Sequence, residues 1–456
     1  MAAIEVAGTT DVAYVQSSID MKLKSLLLIF FVLPTASQAA PKPELWPDGT
    51  AMDSWFHEVP ETVGDGDSKQ YRLDSCGIVP DTALHTMEIQ AVIDSAAANG
   101  GGVIVVTPGV FRTGALVFRP GTSLRLEEGA VLRGSDHIWD YPLCMTRIEG
   151  ETCLYYGALI NADGVDGFSI SGEGTIDGNG EPFYRQFWLR RRWNPSCTNK
   201  DEQRPRLLYV SNSRNVRLEG VTFRNSPYWT THFHNCDRLL VKDCRFESPC
   251  RKGEVRGPST DAIDLDVVSN VHITGCSFCV NDDAIALKGG KGPYADAFMT
   301  DYPGVDIPSR SIGNGANVNV LVENCEYEFC HGCLTLGSES VYDRNIVVRR
   351  CRVTGNAYNL LWIKCRPDTP QHYCYIAVED VSGRVDNMVN VYKWTQFYDL
   401  QGRKDLPVSI VDHIFLRRCS ISCDKFMNVP EDGGVCTLSD FKFEDLVVNG
   451  HRQASR

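Results

Sequence analysis

Between residues 160 and 450 the chain repeats one phrase: a short run of alternating apolar and polar residues, a turn, and another such run. The phrase is clear in Asn215-Val216-Arg217-Leu218-Glu219 followed by Val221-Thr222-Phe223, in 239–246 and in 270–278. It returns at 318–327, 345–353, 375–381, 413–421 and 441–448. Alternation with period two puts successive side chains on opposite faces of a strand, so each run is expected to be a β-strand. Recurrence at roughly 20–30 residues, with no helical stretch read between strands, marks a solenoid whose coils bury their inner faces on one another. A β-propeller would instead repeat at roughly 40 residues, with four strands per blade. The expected fold is all-β: a single-stranded right-handed parallel β-helix.

A short capping helix is expected over 81–99, where Ile89, Val92, Ile93 and Ala96 share one face. Solenoid ends need such cover. Gly100-Gly101-Gly102 stops the helix, and Val103-Ile104-Val105-Val106 is expected as the first strand. Two stretches break the strand phrase: 183–206, holding Arg190-Arg191-Arg192-Trp193, and 289–315, rich in Gly, Pro and Asp. Long loops in a solenoid gather on one face and often build the site, and 289–315 is a candidate to close one end of a groove. With no Pro- or Ser-rich linker, 76–456 reads as one β-helix domain behind an edge segment at 41–75.

Further upstream, Met21-Lys22-Leu23-Lys24, the apolar run 26–33 and Ser37-Gln38-Ala39 read as a signal peptide at 21–40. Residues 1–20 are then a leader ahead of a start at Met21. The apolar run falls short of the roughly 20 residues that span a bilayer. A secreted or periplasmic protein without membrane insertion is expected. The 18 Cys suit an oxidising compartment, although their pairing is not legible. Cys330-His331-Gly332-Cys333 lacks a second Cys pair at zinc spacing, so no metal centre is expected. The formal net charge of -13 argues against nucleic acid, whose phosphates call for clustered Lys and Arg.

Chemistry concentrates in Ser259-Thr260-Asp261 and Asn281-Asp282-Asp283, about one coil apart. Residues at one phase of adjacent coils stack at ~4.8 Å, so three carboxylates are expected in one patch. Like charges that close raise at least one pKa, which divides acid and base work between carboxyls. Hydrolysis of a glycosidic bond needs such a division. Spacing alone equally allows a calcium site or a solvated Asp-rich corner.

Asp261-Ala262-Ile263-Asp264, Asp282-Asp283-Ala284-Ile285-Ala286-Leu287-Lys288, His331-Gly332 and Trp362-Ile363-Lys364 resemble, in this order, the motif set of glycoside hydrolase family 28. The family pattern runs Asn-Thr-Asp, Asp-Asp, Gly-His-Gly, Arg-Ile-Lys. The resemblance extends to 101–134, 174–180 and 225–229. It implies an inverting hydrolase of α-galacturonosyl linkages in pectin, working without metal or organic cofactor and as a monomer. It further implies Asp282 as general acid, Asp261 and Asp283 as the groups that hold and activate water, and His331 as the tuner of the acid. Lys364 is implied to bind a uronate carboxylate. A cation there reconciles an acidic protein with an acidic substrate, because a groove focuses the local field.

The sequence departs from the family at three places. Ser259 stands for Asn. Cys330 precedes His331, and Gly337-Ser338 falls one residue late, so either a residue is inserted or Gly332 holds the His position. Trp362 stands for an Arg, replacing a bidentate carboxylate clamp with a flat apolar platform. Trp362 is a candidate to stack on a sugar face, and Arg366 a candidate to supply the missing guanidinium. Tyr392 and Trp394, about one coil past Lys364, are candidates for a subsite or for packing. His232 and His234 read as structural, with one of them a candidate for the groove. Arg190–Arg192 read either as contacts to an anionic chain or as solvated charge. Exo-action leads, with endo-polygalacturonase and rhamnogalacturonan hydrolase behind it. A polysaccharide lyase and a non-catalytic carbohydrate-binding β-helix are the readings from other classes.

Overall fold

The computed structural model describes residues 43–57, 68–290, 315–400, 402, 404, 406–429 and 436–455. The expected leader and signal peptide, and nearly all of 289–315, lie outside the described residues. Residues Glu44–Arg456 form one unit, and no helix of the described residues is long and apolar enough to cross a membrane.

Each alternating run becomes a strand that pairs in parallel with the run one coil later. Val216 faces Leu239, which faces Val271, then Val320, Ile346, Ile376 and Ile414. All of these side chains are buried, so the apolar phase of the sequence becomes one continuous inner column. A second column stacks Phe223, Phe246, Phe278 and Tyr327 with centroids 5.3, 5.3 and 5.2 Å apart. Such ring pairs add about 0.5–1.5 kcal/mol each beyond their burial. The chain turns where Asn215, Asn270, Asn319 and Asn345 adopt φ of 52, 55, 62 and 58°. Asn tolerates this left-handed conformation better than most residues. The corners also bond to one another: Asn345 donates to Asn319 at 3.1 Å, and Asn319 to Asn270 at 3.2 Å.

The capping helix, α1 (Thr86–Ala98), buries Ile89, Ile93 and Ala96 against the first coil. It begins later than the 81–99 window because Asp81 accepts from the Ala83 amide at 2.7 Å and meets His85 Nε2 at 2.9 Å, holding a turn ahead of it. The strand Gly102–Val106 forms as expected but is not the first. Gln70–Arg72 pairs with it in parallel, three residues being too short to show a period. Further upstream, Trp46, Met52 and Phe56 pack on Leu321, Val347, Ala377 and Phe415 on the outside of the coils.

Two insertions shape the site. The expectation of no helix between strands fails at α2 (Glu181–Trp193), which enters with Pro182 in its first turn and buries Phe183, Tyr184 and Phe187. The second insertion is an antiparallel hairpin of Leu143–Ile148 and Glu151–Tyr156. Its Ile148 and Tyr155 pack on Tyr228 and Trp229, covering the outer face of the coil that precedes Asp261.

Candidate active site

Asp261 precedes the strand Ile263–Thr274, and Asp283 precedes Ile285–Lys288, its parallel neighbour. The register pairs Ile263 with Ile285, and the Ala262 amide donates to the Asp283 carbonyl at 2.9 Å. Asp283, rather than Asp282, therefore stands at the phase of Asp261, and Asp282 occupies the turn before it. One carboxylate oxygen from each of Asp261, Asp282 and Asp283 lies within 4.8 Å of the others. Their exposures differ: the Asp282 side chain is 26% exposed, against 5% for Asp261 and 1% for Asp283. Asp282 is the carboxyl that meets the open groove.

Two ammonium groups sit beneath the trio. Lys364 Nζ donates to Asp283 Oδ2 at 2.7 Å, and Lys288 Nζ lies 3.3 Å from Asp261 Oδ2 and 3.4 Å from Asp264 Oδ1. Burial opposes the charge on Lys288, but Asp261 and Asp264 outweigh it and hold the ammonium protonated. Burial, reinforced by the Asp282 charge, pushes the Asp261 carboxyl up to about 7. Burial and the neighbouring Asp261 charge raise Asp264 well above the carboxylate range. Burial would also raise Asp282, but the His331 imidazole and the two lysines bring it below its ordinary value. Asp261, Asp264 and Asp282 thus influence one another's protons, so their titration belongs to the three together and not to one residue. With Lys364 on Asp283 and Lys288 on Asp261, the trio offers a cation little beyond the oxygens of Asp282.

The structure places His331 Nδ1 3.4 Å from Asp282 Oδ1, with the His331 amide donating to the Asp282 carbonyl at 2.8 Å. Burial works against the imidazolium, and the Asp282 carboxylate outweighs it, raising the His331 pKa. Tyr358 stacks on the ring at 4.9 Å and fixes its plane. Gly332 follows because a Cβ there would meet Thr335 Oγ1 at 2.1 Å and Asp283 Oδ1 at 3.0 Å.

Trp362 and Trp394 flank the ammonium of Lys364 at 4.0 and 4.7 Å, cation–π contacts that pin it. Tyr392, 49% exposed, continues the aromatic surface with its ring 6.0 Å from Trp394. Arg366 does not join this surface. It is fully buried, donates two bonds of 2.8 Å to Asp368, and lies 3.7 Å from Glu339. The idea that its guanidinium replaces the missing Arg is therefore corrected: two buried carboxylates already claim it. His232 is also closed off, wedged between Arg206 at 2.7 Å and Asp266 at 3.3 Å, and burial lowers its pKa to about 3. His234 is buried beside a cavity of about 240 Å³ that the hairpin also lines. Arg190 and Arg191 in the last turn of α2 are tied to the Asp201 carbonyl and to Asn199.

Sequence reasoning missed Arg147, whose Nε donates to Asp266 at 3.1 Å and which brings the hairpin onto the site. Nothing marks a residue so far from Asp266 in the chain. Lys288 and Asp264 were visible inside the quoted motifs, but their pairing was not. Trp229, one coil before Asp261, is 2% exposed under the hairpin. On the carboxyl-terminal side of the trio, Trp362 and Trp394 are part-exposed and Tyr392 is exposed.

A parallel β-helix bearing a carboxylate trio at the head of a groove defines a carbohydrate-active solenoid enzyme. Residues 144–382 match glycosyl hydrolases family 28, and the chain belongs to that family of glycoside hydrolases. It is similar to a probable polygalacturonase of Vitis vinifera, 26% identical over 235 residues, which cover 50% of this chain and 45% of the relative. It is also similar to an endo-polygalacturonase of Pectobacterium carotovorum subsp. carotovorum, 24% identical over 298 residues, which cover 63% and 66%. The chain spans less than half the length of the first curated relatives it matches. Among solved structures, an exopolygalacturonase from Thermotoga maritima superposes with a TM-score of 0.68 at 20% identity, covering 88% of this chain and 96% of that one. A polygalacturonase from Erwinia carotovora ssp. carotovora gives 0.59 at 19%, covering 86% and 99%. These two likenesses establish the β-helix.

Proposed function

We propose that the protein is an extracellular or periplasmic hydrolase of α-galacturonosyl linkages in pectin, acting from a chain end. The observation that carries end-wise action is the hairpin seated on Trp229, one coil before Asp261. Asp282 is the general acid, because its carboxyl alone of the trio meets the groove. Asp261 and Asp283 hold and activate water, and His331 tunes the protonation of Asp282. Inverting carboxyl pairs usually stand about 6.5–9.5 Å apart and retaining pairs about 5–5.5 Å. The trio is tighter than either range, so inversion rests on the family resemblance.

A second reading, cleavage of a mixed pectin such as rhamnogalacturonan, is favoured by Lys364. Its ammonium is spent on Asp283 and boxed by two Trp rings, which leaves an aromatic platform where the family presents an Arg. Product analysis on homogalacturonan and rhamnogalacturonan oligosaccharides tests both readings, with NMR of the anomer first released. Saturated monogalacturonic acid from the first time point supports end-wise action. Mixed oligomers overturn it, and turnover of rhamnogalacturonan alone selects the second reading.

The pH dependence follows from the shared proton. Activity requires one proton on the carboxyl set and one ionised carboxylate. Raising pH past about 7, where Asp261 ionises, removes the proton and lowers kcat/KM. A profile with a basic limb near neutrality is the expected result. A rate that stays flat to well above pH 8 rules out Asp261 as a holder of the proton.

A further inference from the structure

Outside the groove, three metal-ligating side chains meet that the proposed reaction does not use. His372 and Cys374 lie two residues apart on the strand His372–Glu379 and so point to the same side. Asp412, on Ser409–Arg417, is the register partner of Cys374 one coil later. One ligand atom from each lies within 4.8 Å of the others, and His372 Nε2 is 3.1 Å from Asp412 Oδ2. A thiolate, an imidazole and a carboxylate form a donor set that suits zinc. At bond lengths of about 2.0–2.3 Å, the donors of a tetrahedral ion stand roughly 3.3–3.8 Å apart. Side-chain rotation of about 1 Å thus completes the set on strands whose backbones are already locked by pairing.

The surroundings fit a cation. Cys374 is buried and forms the floor, whereas the His372 side chain is 39% exposed at the rim, which leaves a fourth position for water. His413 Nδ1 lies 2.7 Å from Asp412 Oδ1, and its Nε2 lies 3.4 Å from Asp440, so the carboxylate is oriented from behind. Tyr342 Oη lies 3.9 Å from Cys374 Sγ and accepts from Arg344 at 3.3 Å. The spacing argument that led to the expectation of no metal centre does not reach this set, because strand register builds it.

We propose that His372, Cys374 and Asp412 bind one Zn²⁺ ion that clips two adjacent coils together on the outside of the solenoid. On binding, the Cys374 thiol releases its proton to water and its sulfur bonds the ion. The test titrates the metal-stripped full chain with Co²⁺ and then displaces it with Zn²⁺. One equivalent is expected, with a thiolate-to-cobalt charge-transfer band that Zn²⁺ abolishes. Cys374→Ser removes the band. His372→Ala and Asp412→Asn weaken binding by at least the roughly tenfold to hundredfold that loss of even an outer partner costs. Wild-type thermal unfolding moves up with Zn²⁺, and that of Cys374→Ser does not. A band that persists in Cys374→Ser, or no stoichiometric binding by the wild type, overturns the proposal. Because the Cys374→Ser variant keeps the carboxylate trio, its unchanged hydrolysis confirms that it folds.

Discussion

Asp282→Asn is expected to lower kcat about a thousandfold on oligogalacturonides while KM stays within a few-fold. An amide keeps the shape of the side chain and its place beside His331, but it has no proton to give the departing oxygen. Positioned acid catalysis is worth about 10²–10⁴-fold, and a thousandfold corresponds to about 4 kcal/mol of transition-state stabilisation. The choice of Asp282 over its neighbours rests on access: its side chain is 26% exposed, against 5% and 1% for Asp261 and Asp283. The same variant has a signature away from turnover. The Asp282 carboxylate is what lifts the His331 pKa against burial, so the imidazole should titrate lower once the charge is gone. NMR of the His331 ring reads that shift without substrate. A fall of less than tenfold would move the acid role to Asp261, whose carboxyl already holds a proton up to about pH 7.

Arg366→Met should cost about 3–5 kcal/mol of stability, the usual penalty for removing one partner of a buried ion pair. The guanidinium is fully buried, binds Asp368 through two 2.8 Å bonds and donates to the Phe397 carbonyl at 3.0 Å. Without it, Asp368 and Glu339, 0% and 1% exposed, lose the guanidinium they share. The loss should depend on pH in a defined direction. Burial pushes Asp368 up, and Arg366 overrides burial and holds it below the ordinary carboxylate value. In the wild type this pair stabilises the fold above the unfolded carboxylate pKa, and the gain fades as pH falls through the lowered one. In the variant the Asp399 amide and the Thr369 hydroxyl still favour the carboxylate, but burial loses its largest counterweight, so Asp368 gives less stability as pH rises. The gap between the two proteins is therefore wider at pH 7 than at pH 4. Urea midpoints at both values measure it. An unchanged midpoint with a raised KM would instead put Arg366 in contact with substrate.

The coils themselves were legible because a solenoid writes its geometry locally. The period-two runs name the inner column from Val216 to Ile414, and the Asn that opens several runs is the residue that turns the corner. The family motifs named the carboxylates and His331 for the same reason: they sit on consecutive coils. Where a contact is decided by distant segments, the local pattern does not give it. Arg366 was offered to the substrate but is held by Asp368 and Glu339. A spacing of about one coil leaves open which of Asp282 and Asp283 stacks on Asp261, and the register from Ile263 and Ile285 gives that place to Asp283. The loop 289–315, a candidate to close one end of a groove, lies almost wholly outside the described residues, while the hairpin 143–156 covers Trp229. By itself the sequence determined the repeat, the corners and the inventory of reactive groups, since these follow from side-chain period and backbone preference. Only the tertiary structure decided which carboxyl is exposed, which cations are already claimed and which outer face the hairpin covers. Those outcomes depend on burial and charge contributed by segments far apart in the chain, which local pattern does not encode.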